Sequence, residues 1–350
     1  MARGSKENLP HGGKDETFDP DPLRTIWCTY LHLSNRAWEI FSSAWTLGTY
    51  HSYTTPARKW LTYAHSQGIS VTEPTTNQCV DFLVGLLDSG AGSSTVNTTR
   101  SLMSNFITLD GRPMGEHPLL RKIVKGVKVQ RPPTEPYSHV WDPAPVILSM
   151  AAWGNLPELD LDKLTRRTIT LFILATGQRP QAIHQLLRKD IQKVGESVRI
   201  KYSNKLKSND PRKNPLILRF DRNEDTNTCV YSHLMAYMDH PLLQSTVSQL
   251  FRATNTPNKG ISSTTVSKYI RQTLVDTGID MHFAAYSTRH SATSAAARAH
   301  IPIHEIMESA GWRRESTFAK YYNRPLLPEL PPPPQTNFIP ALLGGYNVNP

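Results

Sequence analysis

The chain has 350 residues, with 39 Lys and Arg against 29 Asp and Glu, a formal net charge of +10, and 38% hydrophobic residues. That length allows two domains with separate cores, and the basic excess favours a polyanionic partner, either nucleic acid or an anionic membrane surface. No apolar run approaches the ~20 residues of a spanning helix, and the N-terminal MARGSKENLPHGGKDETFDPDP has no apolar stretch of the signal-peptide kind. The expectation is an intracellular protein, nuclear if eukaryotic and otherwise cytoplasmic, with nucleic acid rather than membrane as partner. Cys28, Cys79 and Cys229 are scattered without metal-ligand spacing and read as buried thiols of a reducing compartment. The 13 histidines form no HExxH or paired-finger pattern, so neither a metal nor another cofactor is expected.

Residues 1–21 are polar and rich in Gly, Pro and charge, which predicts a disordered tail. Residues 22–130 predict an all-helical domain. LRTIWCTYLHL and RAWEIFSSAW have helical spacing. TYHSYTTPARKWLTYAHSQG places Tyr53, Trp60, Leu61 and Ala64 on one face and stops at Gly68. VTEPTTNQCVDFLVGLLDSG carries an apolar stripe of Val80, Phe82, Leu83, Leu86 and Leu87. SSTVNTTRSLMSNFITL predicts a helix capped by its leading Ser-Ser-Thr cluster. HPLLRKIVKGVKVQRPP is short and basic, and Arg121, Lys122, Lys125, Lys128 and Arg131 suit a phosphate backbone. Five prolines between Arg131 and Pro145 exclude helix there, which makes 131–141 an extended linker.

A second domain is expected over 142–325, with Asp142 as the first N-cap. PAPVILSMAAWGNL, LDKLTRRTITLFILATG and QRPQAIHQLLRKDI predict three helices. Gly177 stops the second and Pro180 starts the third, so Arg179 falls in a tight turn. ESVRIKYS and NPLILRF predict a β-hairpin around the basic loop SNKLKSNDPRK. Helices resume at TCVYSHLMAYM and at SSTTVSKYIRQTLVDTG, the latter capped by Ser262 and stopped by Gly278. YSTRHSATSAAARAHIPIHEIMESAGWRRESTFAKYYNRP follows, with Arg289 and His290 opening a small-residue helix, a Gly311-Trp312 turn, and the doubled Tyr321 and Tyr322. The fold class is mainly α with a small β-hairpin, and 326–350 is a Pro-rich tail.

Arg179, Lys205, Lys207, Arg289, His290, Trp312 and a tyrosine at 321 or 322 form a set that suits phosphoryl transfer. Two guanidinium groups match the two non-bridging oxygens of a phosphodiester. A phenol can act as covalent nucleophile if a base or cationic field assists it, because its ordinary pKa is about 10. A lysine or histidine can protonate the leaving oxygen. Such chemistry keeps the bond energy in a phosphotyrosine.

TGQRPQAIHQL, a Lys-bearing hairpin, STRHSATSAAA and AGWRRESTFAKYYNRP, in that order over about residues 45–325, resemble the tyrosine recombinase (phage integrase) family. The STR…GW…STFxxxYxRP wording is most similar to recombinases of DIRS- and Ngaro-type retrotransposons. The resemblance implies a two-domain C-shaped clamp on double-stranded DNA, with a helical core-binding domain over 22–130 and a catalytic domain over 142–325. It implies four protomers on two sites and strand exchange through a 3′-phosphotyrosine without metal or ATP. It assigns Arg179 and Arg289 to the scissile phosphate, His290 to the position after the second arginine, and Trp312 to a phosphate-donor position. Lys207, or alternatively Lys205, becomes the general acid. Counting from Trp312 points to Tyr321 as nucleophile, whereas the STF-x-x-F-Y pattern of the retrotransposon enzymes points to Tyr322. The family usually has histidine three residues before the second arginine, where this chain has Tyr286. A phenol is a poorer base at neutral pH, so a catalytically silent DNA-binding protein on the same fold is the alternative reading.

Overall fold

The structure, a computed structural model, describes residues 21–133, 137–207, 209–244, 246–312, 315–321, 326 and 327. The chain divides into two compact units between Glu135 and Pro136.

The first unit is helical. α1 (Pro22–Arg24) runs into a π-helical turn, Thr25–Tyr30, and the Asp21 carboxylate accepts from the Leu23 N–H at 3.1 Å. α2 (Asn35–Ser42), α3 (Leu47–Ser66) and α4 (Thr76–Asp88) start at Ser34, Thr46 and Thr75, whose hydroxyls accept from the third residue on. At α4 this is a full capping box, since Gln78 Oε1 accepts from the Thr75 N–H at 2.8 Å. α5 (Ser93–Met103) and α6 (Pro118–Gln130) complete the unit around a core of Ile26, Trp60, Leu61, Leu83, Val96, Leu102 and Leu120. Trp27, Trp38, Phe41 and Trp45 form an aromatic cluster at its edge, with ring centroids 5.2–6.1 Å apart.

Two expectations change here. The helix predicted through Leu109 ends at Met103, and the chain turns into a short antiparallel pair, β1 (Thr108–Leu109) and β2 (Arg112–Pro113). Asp110 and Gly111, both at positive φ, make the two-residue turn, and an Asp-Gly pair is a strong hairpin signal. The α5 N-cap is Gly92, with Ser93 already inside the helix and no side-chain cap.

In the second unit β3 (Val140–Trp141) precedes α7 (Pro143–Ala151), whose N-cap Asp142 accepts from the Ala144 N–H at 3.0 Å. α8 (Leu161–Thr176) is the central helix, buried around most of its circumference and packed against α10, α11 and α12. Two of its buried residues are arginines. Arg166 pairs with Asp162 at 2.7 Å and Asp276 at 2.5 Å, and Arg167 donates to the carbonyls of Asn227 and Gly154. A buried cation is tolerated only when paired or fully hydrogen-bonded, and these two staple loops to the core.

α9 is short (Pro180–His184), and the chain then enters β4 (Ile191–Val194), β5 (Ser197–Lys201) and β6 (Ile217–Asp221), an antiparallel meander in that order. The longer helix and two-stranded hairpin expected here give way to three strands. The Asp190 carboxylate accepts from the Leu187 and Ser203 N–H groups, and Gly195 at φ +58° closes the first turn. α10 (Val230–Asp239), α11 (Ser263–Asp276), α12 (Ser287–Arg298), α13 (Ile303–Ala310) and α14 (Glu315–Tyr321) follow. β7 (Leu326–Leu327) pairs in parallel with β3.

Among the described residues no helix is long and apolar enough to cross a membrane. Cys79 and Cys229 are buried free thiols, and burial pushes the Cys79 thiol up to about 12; Cys28 is only partly buried, at the edge of the first core.

Candidate active site

The site is assembled on the turn after α8. Gly177 ends that helix at φ +61°, a conformation that favours glycine. It is also a point of close approach. A Cβ there would lie 2.7 Å from Thr293 Cγ2 on α12 and 3.5 Å from Ala310 Cβ on α13. The carbonyl of Gly177 accepts a hydrogen bond from Arg289 Nη1. Arg289 is fully buried in the first turns of α12.

Gln178, which the sequence reading did not single out, ties the same turn to α13. It is buried, and its Nε2 donates to the Ser309 carbonyl. Ser309 Oγ returns a hydrogen bond to the Thr176 carbonyl at 3.1 Å. Residues 176–178 are therefore held by α12 and α13 together. Arg179 comes next as the N-cap residue of α9, half-buried and in extended conformation.

Trp312 follows Gly311, the left-handed C-cap of α13 at φ +68°. The Arg289 guanidinium carbon lies 4.2 Å from the Trp312 ring centroid, well inside cation–π range. The indole also packs in a cluster with Phe318 of α14, Ile306 and Ala310. Trp312 thus shares one contact network with the second arginine and with α14. Tyr321 is the last residue of α14. Tyr322 lies outside the described residues, as does the segment that follows it up to Pro325.

Tyr286 is the N-cap residue of α12 and is 37% exposed. His290, one turn on, is buried, with its ring 5.5 Å from Tyr286 and 5.8 Å from Tyr137. Two contacts from the segment before α7 hold this helix start. Tyr137 OH accepts from the Ala284 N–H at 2.9 Å, and Trp141 Nε1 donates to Ser287 Oγ at 2.9 Å. Tyr137 and Trp141 fell in or beside the predicted linker, and only their aromatic size hinted at a buried role.

Lys205 and Lys207 lie in the β5–β6 loop and are both exposed, flanking the buried Leu206. The loop turns back on itself, with the Leu206 N–H donating to the Asn209 carbonyl at 2.9 Å. The Asp210 carboxyl is held below the usual range by the Arg212 backbone N–H and by the charges of Arg212, Lys205 and Lys213. Asn209 also faces the Gly-Trp turn, since a Cβ on Gly311 would sit 2.9 Å from its Oδ1. A cavity of about 360 Å³ opens beside this contact, lined by Asn209, Asn214, His304, Glu308, Gly311 and Trp312. The lysine loop and Trp312 are thus brought to one place.

The basic helix α6 belongs to the other unit. Leu120, Val124 and Val127 form its buried stripe, and Arg121, Lys122, Lys125, Lys128 and Arg131 are exposed. Arg131 Nη1 also donates to the Ala91 carbonyl at 3.1 Å.

Among curated protein sequences none matches this chain. Similar solved structures include a lambda integrase (75–356) dimer bound to a COC' core site, 15% identical with TM-score 0.53, covering 85% of this chain and 95% of that one. XerH site-specific recombinase bound to palindromic difH substrate is 14% identical with TM-score 0.57, covering 87% and 86%. The Tn1549 transposon integrase (aa 82–397) in complex with circular intermediate DNA is 13% identical with TM-score 0.55, covering 86% and 95%. At such identities the likeness is one of fold, a mainly helical chain with small sheets. Residues 152–326, half of the chain, match the profile of the phage integrase family, and on that match the chain belongs to the phage integrase, or tyrosine recombinase, family.

Proposed function

We propose that this protein is a site-specific DNA recombinase that cleaves and rejoins double-stranded DNA through a 3′-phosphotyrosine, without metal or ATP. The observation that carries the reading is the junction of Arg289 with the Gly177 turn that presents Arg179, with Trp312 stacked on the same guanidinium. In this reading the two arginines bind the scissile phosphate and Trp312 holds Arg289 in place. The phenol oxygen of Tyr322, or alternatively Tyr321, attacks phosphorus. The bond to the 5′ oxygen breaks, and Lys207, or alternatively Lys205, protonates that oxygen. The phosphotyrosyl bond is then the electrophile for a second 5′ hydroxyl, so the phosphodiester is restored and no external energy source enters.

The lambda integrase, XerH and Tn1549 structures all contain DNA, which supports duplex DNA as partner here. Four protomers on two sites is the assembly we propose, with a helical domain over 22–130 and a catalytic domain reaching 325; the linker expected over 131–141 is shorter, because Tyr137, Val140 and Trp141 are buried in the core of the second unit. The exposed cations of α6 and its C-cap, Arg121, Lys122, Lys125, Lys128 and Arg131, serve the phosphate backbone. The STFxxxY wording supports a source among retrotransposon recombinases of the DIRS and Ngaro type.

Tyr286 favours one second reading, a DNA-binding protein on this fold that has lost strand cleavage. A duplex carrying a nick beside the cleavage site separates the two. An active enzyme accumulates a covalent protein–DNA adduct on it, because the short 5′ fragment diffuses away. Tyr322→Phe then abolishes the adduct; loss with Tyr321→Phe alone moves the nucleophile by one residue. Tight binding with no adduct on the protein's own recombination site would establish the silent binder.

A further inference from the structure

The three-stranded sheet has a buried face and an open one, and the open face carries more cations than acids, with Asp221 opposing them at one end. Val198, Ile200 and Leu218 point into the core, with Ile191 at the edge. On the other side Gln192, Arg199 and Arg219 form one cross-strand rung, all exposed, through the Gln192–Arg199 and Arg199–Arg219 pairings. Lys201, exposed two residues on, forms the next rung with Ile217. Same-face neighbours along a strand stand about 6.6–6.8 Å apart.

Arg199 directly opposite Arg219 is an arrangement that disfavours the sheet, because like charges across a strand pair repel. Arg219 is compensated. It pairs with Asp221 at 2.9 Å and donates to Ser197 Oγ at 3.1 Å. Arg222 is likewise paired with Glu196 at 2.8 Å. Both compensating acids lie at the end of the sheet away from the β5–β6 loop. Arg199 and Lys201, nearer the loop, have no hydrogen bond or ion pair among the described residues. Beyond them the loop adds Lys205, Lys207, Arg212 and Lys213 against Asp210 alone. Residues 191–222 carry nine Lys and Arg against three Asp and Glu, so most of the chain's net +10 resides in this one hairpin region.

We infer that the open face of β4–β5–β6, centred on Arg199, Lys201 and Arg219, is a second phosphate-binding surface, which takes the backbone of duplex DNA flanking the cleavage position. The inference rests on the proposed recombinase reading for its partner. The chemistry is that of cations in a rigid row, with Arg219 held by Asp221 and with Arg199 and Lys201 making no ion pair among the described residues. A strand holds them at fixed spacing, an arginine fork meets phosphate oxygens bidentately, and neither Arg199 nor Lys201 gives up an internal partner on binding. Because they contact phosphates, they add affinity and register rather than base preference.

The test uses the full-length protein and a fluorescent 60-base-pair duplex of arbitrary sequence, with affinity measured by anisotropy from 50 to 300 mM KCl. Removing two phosphate contacts in an Arg199→Gln/Lys201→Gln double variant should lower the slope of log affinity against log salt by about 1.8. The wild type then loses about 3.5-fold more affinity than the variant for each doubling of salt. Arg199→Lys alone should keep the wild-type slope, because it keeps the charge. The surface is refuted if the double variant keeps the wild-type slope while Lys125→Gln/Lys128→Gln lowers it; DNA binding would then stand without this face. A changed sedimentation mass with an unchanged slope would make the face a protein contact and refute it equally. A wild-type slope near zero would sink the functional reading together with this one.

Discussion

Arg289 donates a hydrogen bond to the main-chain carbonyl of Gly177, 112 residues earlier in the chain. The contact couples the first turns of α12 to the turn that presents Arg179, so one buried guanidinium supports the position of the other. It also explains why a cation can be fully buried at this point, between a carbonyl on one side and the Trp312 face on the other.

Gly177→Ala should therefore be costly in two ways. An alanine at φ +61° is strained by roughly 1 kcal/mol, and its Cβ would lie 2.7 Å from Thr293 Cγ2. We expect a loss of about 2–4 kcal/mol in urea unfolding of the second unit. Adding Thr293→Ser removes the clashing methyl and should recover about half. Strictly additive effects of the two substitutions would contradict the contact.

Trp312 packs on Arg289 and within the cluster of Ile306, Ala310 and Phe318. Trp312→Ala should cost about 3–5 kcal/mol and reduce adduct formation roughly 100-fold, because Arg289 loses the surface that holds it. Trp312→Phe keeps an aromatic face and should retain adduct formation to within about tenfold. Equal damage from both would argue that the indole N–H, rather than the ring face, is what matters.

Tyr286, which the motif resemblance sets at a position usually held by histidine, is partly exposed at the start of α12. In single-turnover cleavage of a nicked duplex, Tyr286→His should raise the rate roughly tenfold or more near neutral pH, because an imidazole titrates in that range and a phenol does not. An unchanged or lower rate would show a site adapted to the phenol.

His233 sets a pH dependence of stability away from the site. It is fully buried, its Nδ1 is 2.9 Å from the Cys229 carbonyl, and burial lowers its pKa from 6.5 to about 4. In the unfolded chain it protonates near 6.5, so between pH 6.5 and 4 the unfolded state binds more protons. Stability must then fall as pH falls through that window, by at most about 3 kcal/mol from this residue. Urea unfolding at pH 7.5 and 5.0 should show the loss, and His233→Gln should flatten it. A variant with the same pH dependence as wild type would assign the effect to other groups.

The predictions divide along the line between local and distant information. Helix starts at Asp142 and Ser262 and stops at Gly68, Gly177, Gly278 and Gly311 were legible because caps and positive-φ turns depend on residues within about four positions. Arg179, the lysine hairpin, Arg289, Trp312 and the tyrosines each sit in a short local pattern, so their order can be read from the sequence, whereas the contacts of Arg289 with Gly177 and Trp312 cannot. Where local signals compete, the structure departs from the sequence expectation: Asp110-Gly111 turns a predicted helix end into a hairpin, and IQKV becomes a third strand through the Asp190 and Gly195 turns.

Tertiary structure alone decided which charges are inside. Arg166, Arg167 and Arg289 are buried, while Arg199, Lys201, Lys205 and Lys207 are exposed. A guanidinium goes inside only where carbonyls, carboxylates or an aromatic face from distant segments meet it, and those partners, Gly177 for Arg289 and Asn227 for Arg167, lie 112 and 60 residues away. The resemblance of the ordered motifs therefore pointed to the family that the profile match shows, and to the kind of chemistry to expect. Packing decided that Gln178, Ser309, Tyr137 and Trp141 hold the site, because their hydrogen bonds exist only once α8, α12, α13 and the β3 segment have come together.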